Sequence, residues 1–155
     1  MSSREYPARP LVGIGVVLIR TDEVLLVRRA KPPAAGSWSL PGGAQKLGET
    51  AEAAARRELR EEAGLEAGSM RLAAYVDSIH YDAAGLVQYH YTILDFAAPW
   101  LRGEPRPGGD VSEARFVRFA CLGPYELWDQ ALRVIAIARG MVSSDGDGTA
   151  MPARD

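Results

Sequence analysis

The spacing of apolar and polar positions along this chain predicts strands first, then a helix, then strands again. Leu11–Ile19 and Val24–Val27 are apolar runs rich in β-branched residues, which favour strands. The four polar residues between them, 20–23, predict a hairpin connection. A short third strand is predicted at Trp38–Leu40, directly before the glycine-rich turn Pro41–Gly43.

The helical signal is strongest in the middle of the chain. From Thr50 to Ala63 there is no Gly or Pro; Thr50 is a favoured N-cap residue, and Gly64 suits the position just past the C-terminus. A second helix is predicted over 124–139, where apolar residues recur at helical spacing. Three further strands are predicted, at Arg71–Ile79, Val87–Phe96 and Ala114–Phe119. This order predicts a mixed sheet with helices packed on both faces.

Length, charge and cysteine content exclude several classes of protein. The 155 residues fit one domain, which we place at 10–140 between polar, flexible tails at 1–9 and 141–155. A formal net charge of −2 argues against binding to nucleic acid. One cysteine cannot form an intramolecular disulfide or a Cys-based zinc site. No signal peptide or membrane span is recognisable, so we expect a soluble, cytoplasmic protein without a membrane partner.

The central helix carries three glutamates on its apolar side. At about 100° per residue, Glu58, Glu61 and Glu62 fall within an arc of about 100°. Ala54 and Leu59 share that side of the helix. A solvated helix would place its charges on the opposite face, and like charges one turn apart repel each other. The pattern therefore predicts a cluster of carboxylates that needs positive charge close by.

The arginines of this helix do not balance the cluster. Arg56 and Arg60 project from the opposite, solvent-facing side of the wheel, while Arg57 borders the carboxylates and supplies one charge. A hard divalent cation with oxygen ligands can supply the rest, and Mg²⁺ or Mn²⁺ suits the site because either ion also accepts phosphate oxygens. Such an ion would neutralise a pyrophosphate and activate water to attack it.

These residues form a motif that resembles the complete box of the Nudix (MutT-like) hydrolases. The match reads Gly43-x5-Glu49-x7-Arg57-Glu58-Leu59-x-Glu61-Glu62-x-Gly64-Leu65. The resemblance implies a Nudix-type α/β/α sandwich with a mixed β-sheet and a divalent metal site. It also implies a pyrophosphohydrolase that acts on a nucleoside diphosphate linked to another moiety (NDP-X), so that the partner is a small nucleotide substrate.

The resemblance also implies roles for individual residues of the box. Glu58, Glu61 and Glu62 correspond to the metal-binding carboxylates of the family. Arg57 corresponds to the arginine that orients them, and Glu49 to the glutamate that braces the preceding loop. We treat all five as the catalytic set.

Two parts of the metal site stay open at this point. Gly43 or Gly42 corresponds to the residue whose backbone carbonyl contributes to the metal site. In many family members a further acid from a downstream loop binds another metal or acts as general base. Asp110 and Glu113 are the candidates here, and the sequence does not decide between them.

Four residues outside the box are candidates for substrate binding. Arg28 and Arg29 end a strand and could pair with phosphates, although a surface role fits them equally well. Trp38 could stack on a base, but a large aromatic residue more often packs in or beside a core. Tyr81 stands sixteen residues after Leu65, where dinucleoside-polyphosphate hydrolases have a tyrosine.

The resemblance is greatest to small ADP-ribose pyrophosphatase-like members of the family, so an ADP-ribose-like substrate is favoured. The alternatives are a dinucleoside polyphosphate or a (d)NTP. A non-catalytic Nudix domain that senses a ligand is a further alternative, although all the box carboxylates are present. A homodimer is possible.

Overall fold

The computed structural model describes residues 4–148, with side chains as far as Ser143. Within this part of the chain there are eight strands, two α-helices and two short 3₁₀ turns. The strands are β1 (Leu11–Arg20), β2 (Glu23–Arg29), β3 (Trp38–Ser39), β4 (Gly42–Ala44), β5 (Glu66–Ala67), β6 (Arg71–Tyr81), β7 (Val87–Arg102) and β8 (Val111–Arg118). The helices are α1 (Ala51–Ala63) and α2 (Asp129–Gly148). No helix in the described range is both long and apolar enough to cross a membrane.

Strand β1 lies at the centre of a mixed sheet. It runs parallel to β7 from Leu11 to Ile19 and pairs antiparallel with β2 at its C-terminal end. Its N-terminal half pairs instead with the short strand β4, through Gly13, Ile14 and Gly15. The main path of the sheet is β3-β2-β1-β7-β5, with β4 on β1, β6 on β7 and β8 on β2. The prediction of a mixed sheet is confirmed.

Alternate residues of the strands face two separate cores, one under each helix. On β1, Val16 and Leu18 join the core under α1, whereas Val17 and Ile19 join the core under α2. Strand residues alternate in direction, so a continuous apolar run such as this one covers both faces of the sheet. Each large aliphatic side chain that is fully buried here contributes about 1.5–3 kcal/mol to folding. The sheet with α1 and α2 on opposite faces forms the predicted α/β/α sandwich.

Several boundaries differ from those predicted. The turn predicted at 41–43 contains the first two residues of a strand, β4. Gly42 and Gly43 pair there with Gly15 and Ile14 of β1. Strand β7 continues six residues past the predicted end at Phe96, where it pairs with β1 and, near its end, with β5.

The second helix begins later and ends later than predicted. Pro124 lies in a 3₁₀ turn, and Glu126 has a left-handed backbone (φ 51°) that prevents this turn from continuing into α2. Met141 and Val142 pack against the core under α2, and the helix continues to Gly148. The helix therefore continues into the segment predicted as a flexible tail from 141, and residues 149–155 lie outside the described part of the chain.

The described part of the predicted N-terminal tail is attached to the hairpin between β6 and β7. The backbone N–H of Tyr6 donates to the carbonyl of Gln88 (2.7 Å), and its hydroxyl donates to Asp82 (2.7 Å). These two contacts fix residues near Tyr6 against the sheet. Residues 1–3 lie outside the described part of the chain.

Candidate active site

Helix α1 carries the three glutamates, and its ends form as the sequence predicts. The hydroxyl of Thr50 accepts a hydrogen bond from the backbone N–H of Ala53 (3.0 Å). Gly64 ends the helix in the left-handed conformation (φ 68°), which glycine adopts without a steric penalty. The side of α1 against the sheet is formed by its buried residues Ala54, Ala55, Leu59 and Ala63.

The three carboxylates differ in burial along the edge of that buried side. The side chain of Glu58 is 12% exposed, that of Glu61 is 52% exposed, and Glu62 is half-buried. Glu58 and Glu62 therefore meet the expectation of an inward-looking position, whereas Glu61 lies at the rim. The cluster is open to solvent on one side and bounded by the sheet on the other.

The guanidinium of Arg57 joins the cluster to the loop before the helix. Its Nε and Nη2 donate to the two oxygens of Glu49 (3.0 and 2.7 Å), and its Nη1 donates to Glu58 (2.8 Å) and Glu61 (3.2 Å). Nη2 also donates to the carbonyl of Ala44 (3.2 Å). An arginine has five N–H donors, and all five have an acceptor here. Lysine has three donors and no fixed planar geometry, so it could not make the same set of contacts.

Glu49 braces the loop between β4 and α1. Besides Arg57, its carboxylate accepts a hydrogen bond from the backbone N–H of Lys46 (2.8 Å). The side chain of Gln45 donates to the Glu49 carbonyl (2.8 Å). The hydrogen bonds from Arg57, followed by the one from Lys46, hold the pKa of Glu49 at about 2. Glu49 is therefore ionised over the whole neutral and mildly acidic range.

Glu62 is the carboxylate closest to the glycine-rich strand β4. Its Oε2 accepts a hydrogen bond from the backbone N–H of Gly42 (3.0 Å). Burial raises the pKa of Glu62 to about 7, and the charges of Glu58 and Asp110 act in the same direction, against the hydrogen bond from Gly42 and the charge of Arg29. Glu62 thus lies within the electrostatic reach of both Arg29 and Asp110.

Gly42 and Gly43 are glycines because backbone and side chains approach them closely. A Cβ at Gly43 would overlap the Glu58 carboxylate, and a Cβ at Gly42 would overlap the carbonyl of Ile14 on β1. Their missing side chains allow β4 to lie directly against the carboxylates of α1. This contact brings the backbone of the glycine pair to the site, as the sequence predicts.

The two downstream acids lie in different surroundings. Both oxygens of Glu113 are held, one by Arg28 and one by Arg115 (each 3.0 Å). Asp110 pairs with the exposed Lys31 (2.8 Å) and acts on the pKa of Glu62. The charge of Asp110 therefore acts on Glu62, whereas Glu113 lies in an ion-pair network with Arg28 and Arg115.

The neighbouring arginines at the end of β2 face opposite sides of the sheet, because successive strand residues alternate. Arg29 acts electrostatically on Glu62, on the side of α1. Arg28 lies near Trp38, with its Cζ 5.9 Å from the ring centroid, and Trp38 packs against the core under α2. The two arginines therefore extend from different faces of the sheet, and a role of Arg28 in substrate binding stays a prediction.

Trp38 is half-buried, and its ring is already in contact with protein. Arg115 lies over it (Cζ to ring centroid 4.8 Å), and Tyr125 meets it edge to face at 4.9 Å. The packing alternative for Trp38 therefore has direct structural support. Tyr81 is the last residue of β6 and is 63% exposed, and within the described residues it makes no hydrogen bond to the carboxylate cluster.

The wheel predicts that Arg56 faces solvent, but in the structure its side chain is half-buried. It donates to the carbonyls of Ala67 (2.9 Å) and Gly68 (3.0 Å), which fixes the chain after the helix to α1. The helical wheel places the side chain correctly relative to the carboxylates but does not show that strand β5 folds back over it. Arg60 is exposed, as predicted.

The donor set of the cluster fits a hard divalent cation. Glu58, Glu61 and Glu62 each use one oxygen in the hydrogen bonds described above. The second oxygen of each accepts none within the described residues, so three carboxylate oxygens are available as ligands. Within residues 4–143, no three acidic, His or Cys side chains are already arranged around one point as for an ion.

Two contacts of the site are made by backbone groups, which a pattern of residue types cannot predict. The carbonyl of Ala44 and the N–H of Gly42 hold Arg57 and Glu62, but every residue has such groups. The paired glycines gave a signal for Gly42, whereas Ala44 had none. Sequence reasoning also missed Arg115 and Tyr125, which are brought to Trp38 from distant parts of the chain.

Comparison with known proteins agrees with this geometry. Residues 9–136 match the family model described as the NUDIX domain. An "ADP-ribose pyrophosphatase" of Methanocaldococcus jannaschii is 35% identical over 107 residues, which are 69% of this chain and 61% of the relative. A "Putative 8-oxo-dGTP diphosphatase 2" of Mycobacterium tuberculosis is 39% identical over 96 residues, 61% of this chain and 64% of the relative. The matches thus span less than two thirds of the length of these relatives.

A solved structure shows the same architecture. The MutT NUDIX hydrolase from Burkholderia pseudomallei superimposes with a TM-score of 0.71 at 30% identity, covering 83% of this chain and 97% of that one.

Replacing Arg57 by Ala should lower the melting temperature at pH 7 by about 5 °C or more, because Glu49 loses its main partner. The pKa of Glu49 lies below its ordinary value of 4.5 in the folded protein, at about 2. The stabilisation is therefore present above about pH 4.5 and is lost as the pH falls towards 2. The difference in melting temperature between wild type and Arg57→Ala should shrink over that range in thermal unfolding followed by circular dichroism.

Arg60→Ala is the matched control, since Arg60 is exposed on the same helix. It should change the melting temperature little at any pH. A difference for Arg57→Ala that is the same at pH 2.5 and pH 7 would show that the pair with Glu49 does not stabilise the fold.

Proposed function

Since this chain belongs to the NUDIX domain family, we propose that it hydrolyses the pyrophosphate bond of an NDP-X compound with the help of Mg²⁺ or Mn²⁺. The observation that carries the proposal is the cluster on α1, where Arg57 holds one oxygen each of Glu58 and Glu61 and leaves the other oxygens available. Glu62 has the same arrangement through Gly42.

The residues that would hold the cation are Glu58, Glu61 and Glu62, with the backbone carbonyl of Gly43 as a further ligand. When bound, the cation neutralises the diphosphate oxygens and makes an attacking water more acidic. Arg57 keeps the carboxylates on one side of the helix, and Glu49 keeps Arg57 in place. Arg29, whose charge acts on Glu62, would pair with a phosphate of the substrate.

Asp110 is the better candidate for the downstream acid that takes a proton or binds a further cation. It acts on Glu62 and is paired only with an exposed lysine among the described residues. Glu113 has both oxygens engaged by arginines, so release would cost it two charge-assisted hydrogen bonds. Asp110 therefore belongs to the proposed site and Glu113 to the support of Trp38 and its neighbours.

ADP-ribose is the favoured substrate class, supported by the similarity to the M. jannaschii ADP-ribose pyrophosphatase. The similarity to the M. tuberculosis protein keeps a (d)NTP as the second candidate. Contacts from Trp38 and Arg28 to the nucleoside part of the substrate stay predictions, since the Trp38 ring already packs against Arg115 and Tyr125. Four further points stay predictions: a contribution from Tyr81, a dinucleoside-polyphosphate substrate, a homodimer and a cytoplasmic location.

Activity should require a divalent cation. We expect hydrolysis with Mg²⁺ or Mn²⁺ and none in excess EDTA, since the carboxylate cluster alone repels an anionic substrate. Saturating Mg²⁺ should also raise the melting temperature, because it offsets repulsion within the cluster and binds the folded state. Full turnover in EDTA, or a melting temperature that Mg²⁺ does not change, would contradict the metal site.

Replacing a ligand carboxylate by its amide should abolish most of the activity. Glu58→Gln and Glu62→Gln should each lower kcat by at least about 100-fold, with a circular dichroism spectrum like that of the wild type. Arg60→Ala, on the far side of the same helix, should stay within a few fold of wild type. Comparable losses in all three variants would mean that the α1 carboxylates are not the reactive site.

The favoured substrate should be cut at its pyrophosphate. We expect ADP-ribose to give AMP and ribose 5-phosphate, and hydrolysis in ¹⁸O-labelled water to place the label in one of these products, with no inorganic phosphate. Related diphosphates should be cleaved more slowly, because the cation acts on any diphosphate. A much higher kcat/KM for diadenosine polyphosphates or nucleoside triphosphates would overturn the ADP-ribose assignment and leave the metal chemistry intact.

A further inference from the structure

The loop between β7 and β8 caps the C-terminal end of α1 with its own backbone. The N–H of Arg106 donates to the carbonyl of Ala63 (2.9 Å), and the N–H of Gly108 donates to the carbonyl of Glu62 (3.2 Å). Carbonyls in the last turn of a helix have no donor within the helix and need a partner from outside it. The loop is therefore docked by main-chain contacts on the same turn of α1 that carries Glu62.

Gly108 is the point at which this loop comes closest to α1. A Cβ at this position would lie 2.5 Å from the carbonyl oxygen of Glu61, a backbone atom that cannot move aside on its own. The chain then turns away from the helix: Gly109 has a left-handed backbone (φ 60°), and the N–H of Val111 donates to the carbonyl of Gly108 (3.3 Å). A side chain at position 108 would therefore push the loop off the end of α1.

Asp110 lies in this turn, two residues after the contact with α1. Two residues of extended chain span at most about 7 Å, so the α-carbon of Asp110 stays within that distance of the α-carbon of Gly108. The carbonyl of Asp110 accepts from the N–H of Ala30 after β2 (2.9 Å). The charge of Asp110 acts on Glu62. The turn is thus held between the end of α1 and the end of β2.

The side-chain contact of Asp110 is a weak anchor by comparison. Its carboxylate pairs with Lys31 (2.8 Å), and both side chains are 68% exposed. Ion pairs as exposed as this one hold a side chain in place only weakly, because water screens them. The position of Asp110 relative to α1 therefore depends on the main-chain contacts of the loop, and the contact at Gly108 is the nearest of these along the chain.

We propose that Gly108 is a positioning residue, which docks the loop on the last turn of α1 and thereby holds Asp110 beside Glu62 for hydrolysis of the diphosphate. The proposal rests on the proposed function of the α1 site, in which Asp110 takes a proton or binds a further cation. Gly108 touches neither, so its effect reaches the reaction through Asp110. A displacement of about 1 Å can cost on the order of 100-fold in rate.

The first test is the kinetics of Gly108→Ala with ADP-ribose and Mg²⁺. We expect kcat to fall by at least about 10-fold and KM to change by less than about threefold, because the variant displaces a reacting group and leaves Arg29 in place. Gly123→Ala is the matched control, since a Cβ at Gly123 meets no heavy atom within 4 Å. It should keep kcat and KM within about twofold of wild type.

A double-mutant cycle with Asp110→Asn shows whether Gly108 acts through Asp110. Asp110→Asn alone should lower kcat by about 100-fold, as loss of a general base or of a ligand does. Adding Gly108→Ala to Asp110→Asn should then lower kcat by less than about twofold, because the group that Gly108 positions is already lost. If Gly108→Ala does not fold, Arg106→Pro removes the N–H that donates to Ala63 without adding a Cβ at position 108.

A binding measurement separates this proposal from the proposed function. In ¹H–¹⁵N NMR spectra of the wild type, Mg²⁺ should shift the amide signals of Glu58, Glu61 and Glu62 and also that of Asp110. In Gly108→Ala the shifts on α1 should remain, and the shift at Asp110 should fall to less than half. This readout needs no substrate and no turnover.

Three results would overturn the proposal. Mg²⁺ shifts on α1 without one at Asp110 in the wild type would show that Asp110 is not held at the site, while the metal site itself would stand. Losses of Gly108→Ala and Asp110→Asn that multiply in the double variant would show that Gly108 supports the α1 carboxylates or the fold. The absence of any Mg²⁺ shift on α1 would overturn the proposed function and this proposal together.

Discussion

The contact between Arg57 and Glu49 is the interaction on which the geometry of the site depends. Two N–H groups of the guanidinium meet the two oxygens of Glu49, which fixes the plane of the guanidinium, and the remaining donors then point at Glu58, Glu61 and the carbonyl of Ala44. A charge-assisted pair with this geometry is stronger and more directional than a contact between two point charges. The like charges on α1 therefore lie close together without separating the helix from the strand it packs against.

The alternation of strand residues gives the two faces of the sheet different neighbours. Arg29 faces the carboxylates of α1, whereas Arg28 faces the layer that contains Trp38 and Arg115. Three glycines on β1 and β4 allow their neighbours to pack directly against the backbone. A Cβ at Gly15, Gly42 or Gly43 would overlap Asp95, Ile14 or Glu58, respectively.

The pKa values of Glu49 and Asp95 are shifted in opposite directions, because only Glu49 has hydrogen-bond donors. Glu49 is stabilised as an anion by hydrogen bonds from Arg57 and Lys46, and its pKa falls. Asp95 has burial without such donors, and its pKa rises. The first arrangement strengthens the fold, and the second weakens it at neutral pH, since the folded state holds the charge less favourably than the unfolded state.

The order of six of the eight described strands and of both helices, the bounds of α1, and the cluster on one side of that helix were determined by the sequence alone. These features depend on local spacing: a helix places i, i+3 and i+4 together, and Thr50 and Gly64 fix its ends. Tertiary structure decided which downstream acid lies near the cluster, because Asp110 and Glu113 are three residues apart but are held by different partners. It also decided the pairing of Arg56 with the chain after α1, the extension of α2 over Met141 and Val142, and the position of Asp95 beside Gly15. Each of these contacts joins residues that are brought together by the packing of whole elements, which the local pattern of apolar and polar positions does not specify.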